Sequence, residues 1–558
     1  MPDSDRNEPY TIPRIALAAA LAATLLSLGL FLRTLHPGVG PSLDSIELQI
    51  AALVSGVIHP PGSPQYLMLG RAAMTILPGP DPAFRLNLFS ALCAALAVGL
   101  TYLSTYRLTR GLVVSLFAGM SLAFAVRFWY QASIAELYAL NALYVAAVFY
   151  LLIGWYQTRR PGFFWAATVC YAFSFGNHLT MILLLPAYLF MVSMVDRTML
   201  LRPRHLLITL GIVLLAALQY LYIPLRTGAP FCNFCPPPTD GLLAYLRGPL
   251  LDYITGGPFK ASIFSLPPSE VLVRLPESIG LWNRQFLPWG YVLGIIGAWE
   301  LFKRRADLAW FALIAILPEY LFVITYDIPD WHDFLTPVYV LFAPLIGYGT
   351  LRIWQVLEPQ IDDLLIKGRN LAARAYVLGL AAMLAAASGL TVYANLPQVD
   401  QSRSDAYIVN SRALLAQAGP DALLLMPHPS SPSFIYSWAV RYTAFATPLA
   451  PGLQVISPPE VDPPPGPAPH YLRWADVADR FTPEALVADR PEVYVVDWAD
   501  DRLLNMGLLP ICSADGDLAG YRLVSVFHEG EQPLVDAAEW EHIRSYVYYG
   551  EGEARCPE

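Results

Sequence analysis

The chain has 558 residues with 44 acidic and 35 basic side chains, a net charge of -9 that gives no electrostatic reason to bind nucleic acid. Hydrophobic residues make up 56% and charged ones only 14%, with a mean hydropathy of +0.45, which excludes an ordinary soluble enzyme and describes a membrane protein. Six cysteines are too few for a disulfide scaffold, while 31 Tyr and 13 Trp suit membrane interfaces and sugar-binding surfaces alike.

In chain order, residues 14–34 form the first apolar run, long enough to cross a hydrocarbon core roughly 30 Å thick. No clean small-residue cleavage site follows it, so it reads as a retained helix and not as a signal peptide. Further runs fall near 86–106, 111–126, 137–156, 162–178, 179–195, 205–225, 287–302, 306–326, 333–354 and 372–393. The expectation is an α-helical polytopic membrane protein with about eleven transmembrane helices.

Basic clusters sit at Arg107 and Arg110, Arg159-Arg160, Arg197 to Arg204, Lys303-Arg304-Arg305, and Lys367 to Arg374. They occupy every second loop, which places the N-terminus in the cytoplasm. The complementary, outer loops then carry most of the polar residues that need a reason. Residues 1–395 read as the membrane domain, with large outer loops at 35–85 and 226–286. Residues 396–558 read as a soluble extracytoplasmic α/β or α+β domain, with Pro-rich stretches at Pro458-Pro459 and Pro463 to Pro467 and β-like runs at Ala422 to Met426, Val493 to Asp497 and Tyr521 to Phe527. No nucleophile elbow, phosphate loop or metal-ligand spacing appears in this tail.

The most telling stretch is Asp44-Ser45-Ile46-Glu47, followed by His59-Pro60-Pro61-Gly62-Ser63-Pro64. On a helix, carboxylates at i and i+3 share one face. The rigid turn after them presents a histidine able to exchange a proton near neutral pH. Asp44 and Glu47 also fit a helix capping box, and His59 fits a backbone-bonded turn residue. Arg85, Arg127 and Arg226 carry the forked donors that match phosphate oxygens, with snorkelling to headgroups as the other reading for Arg127. Glu136 near membrane depth calls for an ion pair or a function. Asn177-His178 lies at a turn between two spans. The acidic loop of Asp327, Asp330, His332 and Asp333 has no metal-site spacing and reads as solvated. Cys232-Asn233-Phe234-Cys235 fits a short disulfide in an oxidising compartment.

Taken together, Asp44-Ser45-x-Glu47, His59-Pro60-Pro61-Gly62-x-Pro64, Phe84-Arg85-x-Asn87-Leu88-x-Ser90, Ala135-Glu136-x-Tyr138-x-Leu140-Asn141, Asn177-His178, Tyr220 to Arg226 and Tyr326 to Asp330 occur in one order. In these motifs the chain resembles a family of multi-spanning glycosyltransferases with the GT-C type of membrane fold, whose animal member is an endoplasmic-reticulum protein O-mannosyltransferase. The resemblance implies transfer of a sugar, mannose by preference, from a polyprenyl-phosphate carrier to a protein, glycan or lipid acceptor on the outer side of a bacterial cytoplasmic membrane. By analogy with that fold, Asp44 is the catalytic base, supported by Glu47. Substrate contacts are expected at His59, Arg85, Glu136, Asn177, His178, Arg226 and Asp327. No cofactor is implied, since the lipid-linked sugar is a substrate, and nothing in the motifs demands a metal. The Cys232 to Cys235 stretch departs from the family, which has a tryptophan-containing acidic segment there. The competing class is a non-catalytic membrane protein, either a transporter of lipid-linked cargo or an envelope assembly subunit, but the polar motifs gather at one face and no inverted repeat is visible.

Overall fold

Proline punctuates this chain, and helices begin where it stands in the first turn, because its missing N–H is one the helix leaves unbonded anyway. In the computed structural model, which describes residues 11–417, 423–425, 434–449, 454–457, 471–473, 493–495, 506–512 and 518–526, such starts recur along the chain. The helices are α1 (Arg14–Arg33), α2 (Leu43–Val54), α3 (Pro64–Ile76), α4 (Pro82–Thr109), α5 (Leu112–Ala123), α6 (Val126–Ser133), α7 (Leu137–Thr158), α8 (Pro161–Ser174), α9 (Leu185–Val195) and α10 (Pro203–Ala217). They continue with α11 (Tyr222–Arg226), α12 (Leu242–Arg247), α13 (Pro249–Ile254), α14 (Pro268–Arg304), α15 (Ala306–Thr325), α16 (Thr336–Ile366), α17 (Asn370–Val399), α18 (Ala406–Gln417) and α19 (Phe434–Ala446).

Among the described residues, seven helical stretches are long and apolar enough to cross a membrane singly. The pair α5 and α6, bent by 65°, makes an eighth if it is one broken span. The other apolar runs of the sequence fall on shorter or interrupted helices: α8, the segment Leu179–Val195, and the second half of α14. The interruption in α14 has a local cause. Leu287 precedes Pro288, whose ring disfavours the α-conformation in the residue before it, and Leu287 sits at φ 53°, ψ 169°. α17 is apolar through its length, yet only 6% of its most apolar window is buried by protein, which leaves that surface for lipid to cover.

The chain forms two compact units, each assembled from three separated stretches. The first comprises residues 1–35, 87–220 and 256–401; the second comprises 36–86, 221–255 and 402–558. This division by compactness cuts across the change in sequence character near 396, because the stretches 36–86 and 221–255 group with the tail.

In the first unit α14 packs along α16, and glycines set the distance between them. A Cβ on Gly297 would lie 1.9 Å from the Leu345 carbonyl oxygen, and one on Gly349 would lie 2.0 Å from that of Leu293. Small residues that let two helix backbones touch are a recurrent device in membrane bundles. Gly297→Val is therefore expected to destabilise the first unit by about 1–3 kcal/mol, read as a lower melting temperature in detergent.

In the second unit the described strands are β1 (Leu423–Leu425), β2 (Gln454–Ser457), β3 (Tyr471–Arg473), β4 (Val493–Val495), β5 (Met506–Cys512) and β6 (Leu518–Val526). Their order is β3-β2-β1-β4-β6-β5. The first four are parallel, with Leu423 opposite Gln454 and Val493, and β6 runs antiparallel to both β4 and β5. The three β-like runs read from the sequence coincide with β1, β4 and β6. The Pro458-Pro459 and Pro463 to Pro467 stretches lie outside the described residues.

Candidate functional site

Helix α2 starts at a cap, and the cap is Ser42. Its side chain accepts the Ser45 backbone N–H at 3.0 Å, so Asp44 stands inside the first turn and does not cap the helix. Buried Gln49 fixes the approach to the helix by accepting the Gly40 N–H at 3.2 Å and donating to the Gly38 carbonyl at 3.3 Å. The helical spacing then puts Asp44 and Glu47 on one face, as the sequence suggested.

Glu47 is only 2% exposed and its carboxylate is fully engaged. Oε1 accepts the His59 backbone N–H at 2.8 Å and the Asn233 side-chain amide at 2.7 Å, while Oε2 bonds His59 Nδ1. Burial pushes the Glu47 carboxyl up, but the His59 charge and the bonds from His59 and Asn233 outweigh it and hold the group below the usual carboxylate value. An ionised carboxylate only accepts, so Nδ1 of His59 carries the proton in this pair. Asp44, Glu47 and His59 offer ligand-type atoms that lie within 4.8 Å of one another.

The segment that delivers His59 is tied down along most of its main chain. The Gly56 carbonyl accepts Tyr222 Oη–H at 2.8 Å, Val57 pairs with Phe231 and Asn233 at 3.0 and 2.9 Å, and the Ile58 carbonyl accepts Tyr253 Oη–H. Arg226 donates to the Ser55 and Val54 carbonyls at 2.6 and 3.2 Å, closing the C-terminal end of α2. Cys232 and Cys235 form a disulfide, with Cα atoms 5.6 Å apart, around the loop that carries Asn233.

Two of the three arginines singled out for phosphate, Arg85 and Arg226, thus donate to backbone carbonyls. Arg85 donates from Nε and Nη2 to the Gly79 carbonyl and from Nη1 to that of Met74, tying down the end of α3. Within the Tyr220 to Arg226 motif, Tyr222 and Arg226 bond the carbonyls that lead into the His59 segment. Arg226→Met is expected to lower stability by about 1–3 kcal/mol through the orphaned carbonyls, without changing affinity for inorganic phosphate. Thermal melts and a phosphate titration of the same samples check both halves.

In the first unit, Glu136 precedes α7 and its N–H reaches Ser90 Oγ at 3.5 Å. Asn177 donates to the Leu137 carbonyl at 3.3 Å, and His178 packs against Tyr138 and Phe334 with Nδ1 2.8 Å from Thr180 Oγ1. Glu136, Asn177 and His178 therefore meet at the start of α7. The 327–333 loop is held by ion pairs: Asp327 with Arg274 at 3.9 Å and Asp333 with Arg127 at 3.4 Å. Arg127 is thus paired within the protein, neither snorkelling nor open.

Sequence reasoning missed two features. Asn233 gave no signal beyond lying between two cysteines. A cavity of about 360 Å³ in the first unit is lined by Arg127, Tyr130, Glu277, Arg284, Gln285 and His332. There Gln285 accepts the Arg127 N–H at 2.8 Å, while its buried Nε2 has no partner among the described residues.

Comparison with known proteins follows this geometry. Residues 44–200 match the profile of the family described as the Protein O-mannosyl-transferase TMEM260 N-terminal domain. Mouse Protein O-mannosyl-transferase TMEM260 is 32% identical over 138 residues, covering 25% of this chain and 20% of the mouse protein. The Dictyostelium discoideum Protein O-mannosyl-transferase tmem260 is 27% identical over 129 residues, or 23% of this chain and 16% of that protein. The match thus spans a fifth or less of these relatives. Among solved structures, ArnT from Cupriavidus metallidurans bound to undecaprenyl phosphate is similar at a TM-score of 0.59, with 14% identity over 91% of this chain and 97% of that one. Its apo form gives 0.58. The resemblance read from the motifs stands, and the fold is shared with ArnT, of GT-C type.

Proposed function

We propose that this chain, which resembles the protein O-mannosyltransferases through its N-terminal part and shares its fold with ArnT, is an integral membrane glycosyltransferase. It moves a sugar, mannose by preference, from a polyprenyl-phosphate carrier to an acceptor hydroxyl, with inversion at the anomeric carbon. The observation that carries the reading is the Asp44, Glu47 and His59 constellation, which falls within the matched stretch and whose histidine is delivered by a segment bonded to Tyr222, Phe231, Asn233 and Tyr253. Asp44 takes the acceptor proton as its oxygen attacks the anomeric carbon, and the carrier phosphate leaves with the bonding pair. A phosphate ester leaves without protonation, so one base suffices. Glu47, with both oxygens accepting, orients His59 and does not serve as the base.

Those same bonds leave Glu47 poorly disposed to a cation. Substrate contacts are assigned to His59, Glu136, Asn177, His178 and Asp327. Arg85 and Arg226 are withdrawn from that role. About eleven spans, a cytoplasmic N-terminus, a membrane domain over 1–395 and an extracytoplasmic domain over 396–558 complete the reading.

The test is release of polyprenyl phosphate from a panel of polyprenyl-phosphate sugars by purified protein in detergent, with cell-envelope extract as acceptor. Acceptor-dependent release from one donor, unchanged by chelator, is the expected result. No release from any donor by folded protein would overturn the assignment in favour of a transporter or assembly subunit.

A further inference from the structure

Glu47 accepts a bond from a residue outside the two motifs that hold Asp44 and His59. Asn233 lies 186 residues further along the chain, and its side-chain amide reaches Oε1 at 2.7 Å. Its backbone is held independently of that contact. The Val57 N–H donates to the Phe231 carbonyl and the Asn233 N–H to the Val57 carbonyl, which makes a parallel bridge centred on Cys232. The approach is close: a Cβ on Gly56 would stand 2.2 Å from the Phe231 carbonyl oxygen, so only glycine admits it. The Cys232–Cys235 disulfide then closes the loop immediately around Asn233. A short covalent ring and a two-bond bridge together leave the amide little room to move away from the carboxylate.

We propose that Asn233 is a positioning residue for the Glu47 and His59 pair, kept in register by the Val57 bridge and the Cys232–Cys235 ring. The proposal rests on the reading of this constellation as the reaction site. Asn233 donates to the oxygen that also receives the His59 backbone N–H, so it fixes the rotation of the carboxylate that in turn aims the imidazole. It also favours the ionised form, because a bonded donor stabilises the charge.

The titratable groups that face Glu47 are few. Asp44 lies on its own helix and His59 on the turn. Tyr253 of α13 has its phenol pushed well above the usual value by burial and by the Glu47 charge, so it stays neutral. On α19, which packs on α2, Arg441 lies over the Phe231 and Trp438 rings at 5.4 and 4.5 Å. On α3, Arg71 donates to the Leu53 carbonyl. Among the described residues, Asn233 and His59 give hydrogen bonds to the carboxylate.

The experiment compares wild type with Asn233→Ser, Asn233→Asp and the Cys232→Ala/Cys235→Ala double variant. Two profiles against pH are recorded: transfer rate and melting temperature. Wild type keeps the Glu47 contribution above the ordinary carboxylate value of 4.5 and loses it as pH falls through the lower folded value. Asn233→Ser should move the acid limb of both profiles to higher pH and lower the plateau rate roughly 10- to 100-fold, about the loss of one charge-assisted bond. Asn233→Asp, which sets carboxylate against carboxylate, should move the limb further in the same direction, and the double cysteine variant should move it less. A residue that only supports the fold would reduce active protein equally at every pH. Unmoved acid limbs in the two Asn233 variants would overturn the proposal. If wild type shows no transfer, the proposed function fails, while the melting profiles still decide whether Asn233 acts on Glu47.

Discussion

Asp44→Asn protein is expected to fold as wild type does and to transfer sugar roughly 10²- to 10⁴-fold more slowly, the range associated with losing a positioned general base. The stability half of this expectation follows from Ser42. Because Ser42 caps α2, the substitution removes no cap and exchanges one side chain for an isostere in a half-buried first turn. A melting shift equivalent to less than about 0.5 kcal/mol is expected. The catalytic half follows from the contrast with Glu47 on the same helix face. Glu47 has two donors on one oxygen and an imidazole on the other, in a site 2% exposed, so a proton arriving there would have to displace an existing bond. Asp44, half-buried in the first turn, is therefore the carboxylate of the pair given the proposed role of base. Parallel assays of transfer and thermal unfolding decide the matter. Wild-type turnover in well-folded Asp44→Asn protein would remove Asp44 from the role of base and leave His59 as the next candidate.

Much of this site is visible in the sequence because it is local. The three-residue spacing of Asp44 and Glu47 fixes their shared face as soon as the stretch is helical, and the helix is there. What is not local is invisible. Arg226 finds its carbonyl partner 171 residues away in the chain, and no pattern around Arg226 distinguishes a guanidinium that closes a helix from one that waits for phosphate. Asn233 is the same case, since its type and neighbours suit any turn. Ser42 and Asp44 are equally good caps two positions apart, so the choice between them rests on backbone geometry that composition does not encode. Hydropathy marks where apolar residues run but not where helices bend or stop: Leu287 before Pro288 breaks α14 where the 287–302 run begins, and α8 ends after 14 residues. An apolar run is necessary for a span without being sufficient for one. In the tail, short β-like runs locate β1, β4 and β6, whereas the order β3-β2-β1-β4-β6-β5 depends on pairings between segments far apart in sequence.

Glu47→Ala is expected to be the most disruptive single change in the site, and the reason is a count of donors. Removing the carboxylate takes the acceptor from the His59 backbone N–H, the His59 Nδ1–H and the Asn233 amide, around a group that is itself 2% exposed. Breaking a buried, hydrogen-bonded pair by deleting one member costs about 3–5 kcal/mol. Glu47→Gln separates this structural cost from the chemical one. Its carbonyl oxygen can keep the Oε1 bonds, but its NH₂ group meets His59 Nδ1 with a donor where an acceptor stood. The imidazole must then rotate or change tautomer. The expected result is a smaller loss of stability than in Glu47→Ala, with transfer still reduced on the order of 10²-fold, since misplacing a group by an ångström is enough for such a loss. The pH dependence supplies the internal check. Wild type gives up the Glu47 contribution as pH falls below the ordinary value of 4.5 through its lower folded value, and Glu47→Gln has no such group to protonate. The melting curves of the two proteins should therefore converge in acid and separate as pH rises. Parallel curves across that window would mean that Glu47 is not held ionised by His59 and Asn233, and the role given to all three would have to be withdrawn.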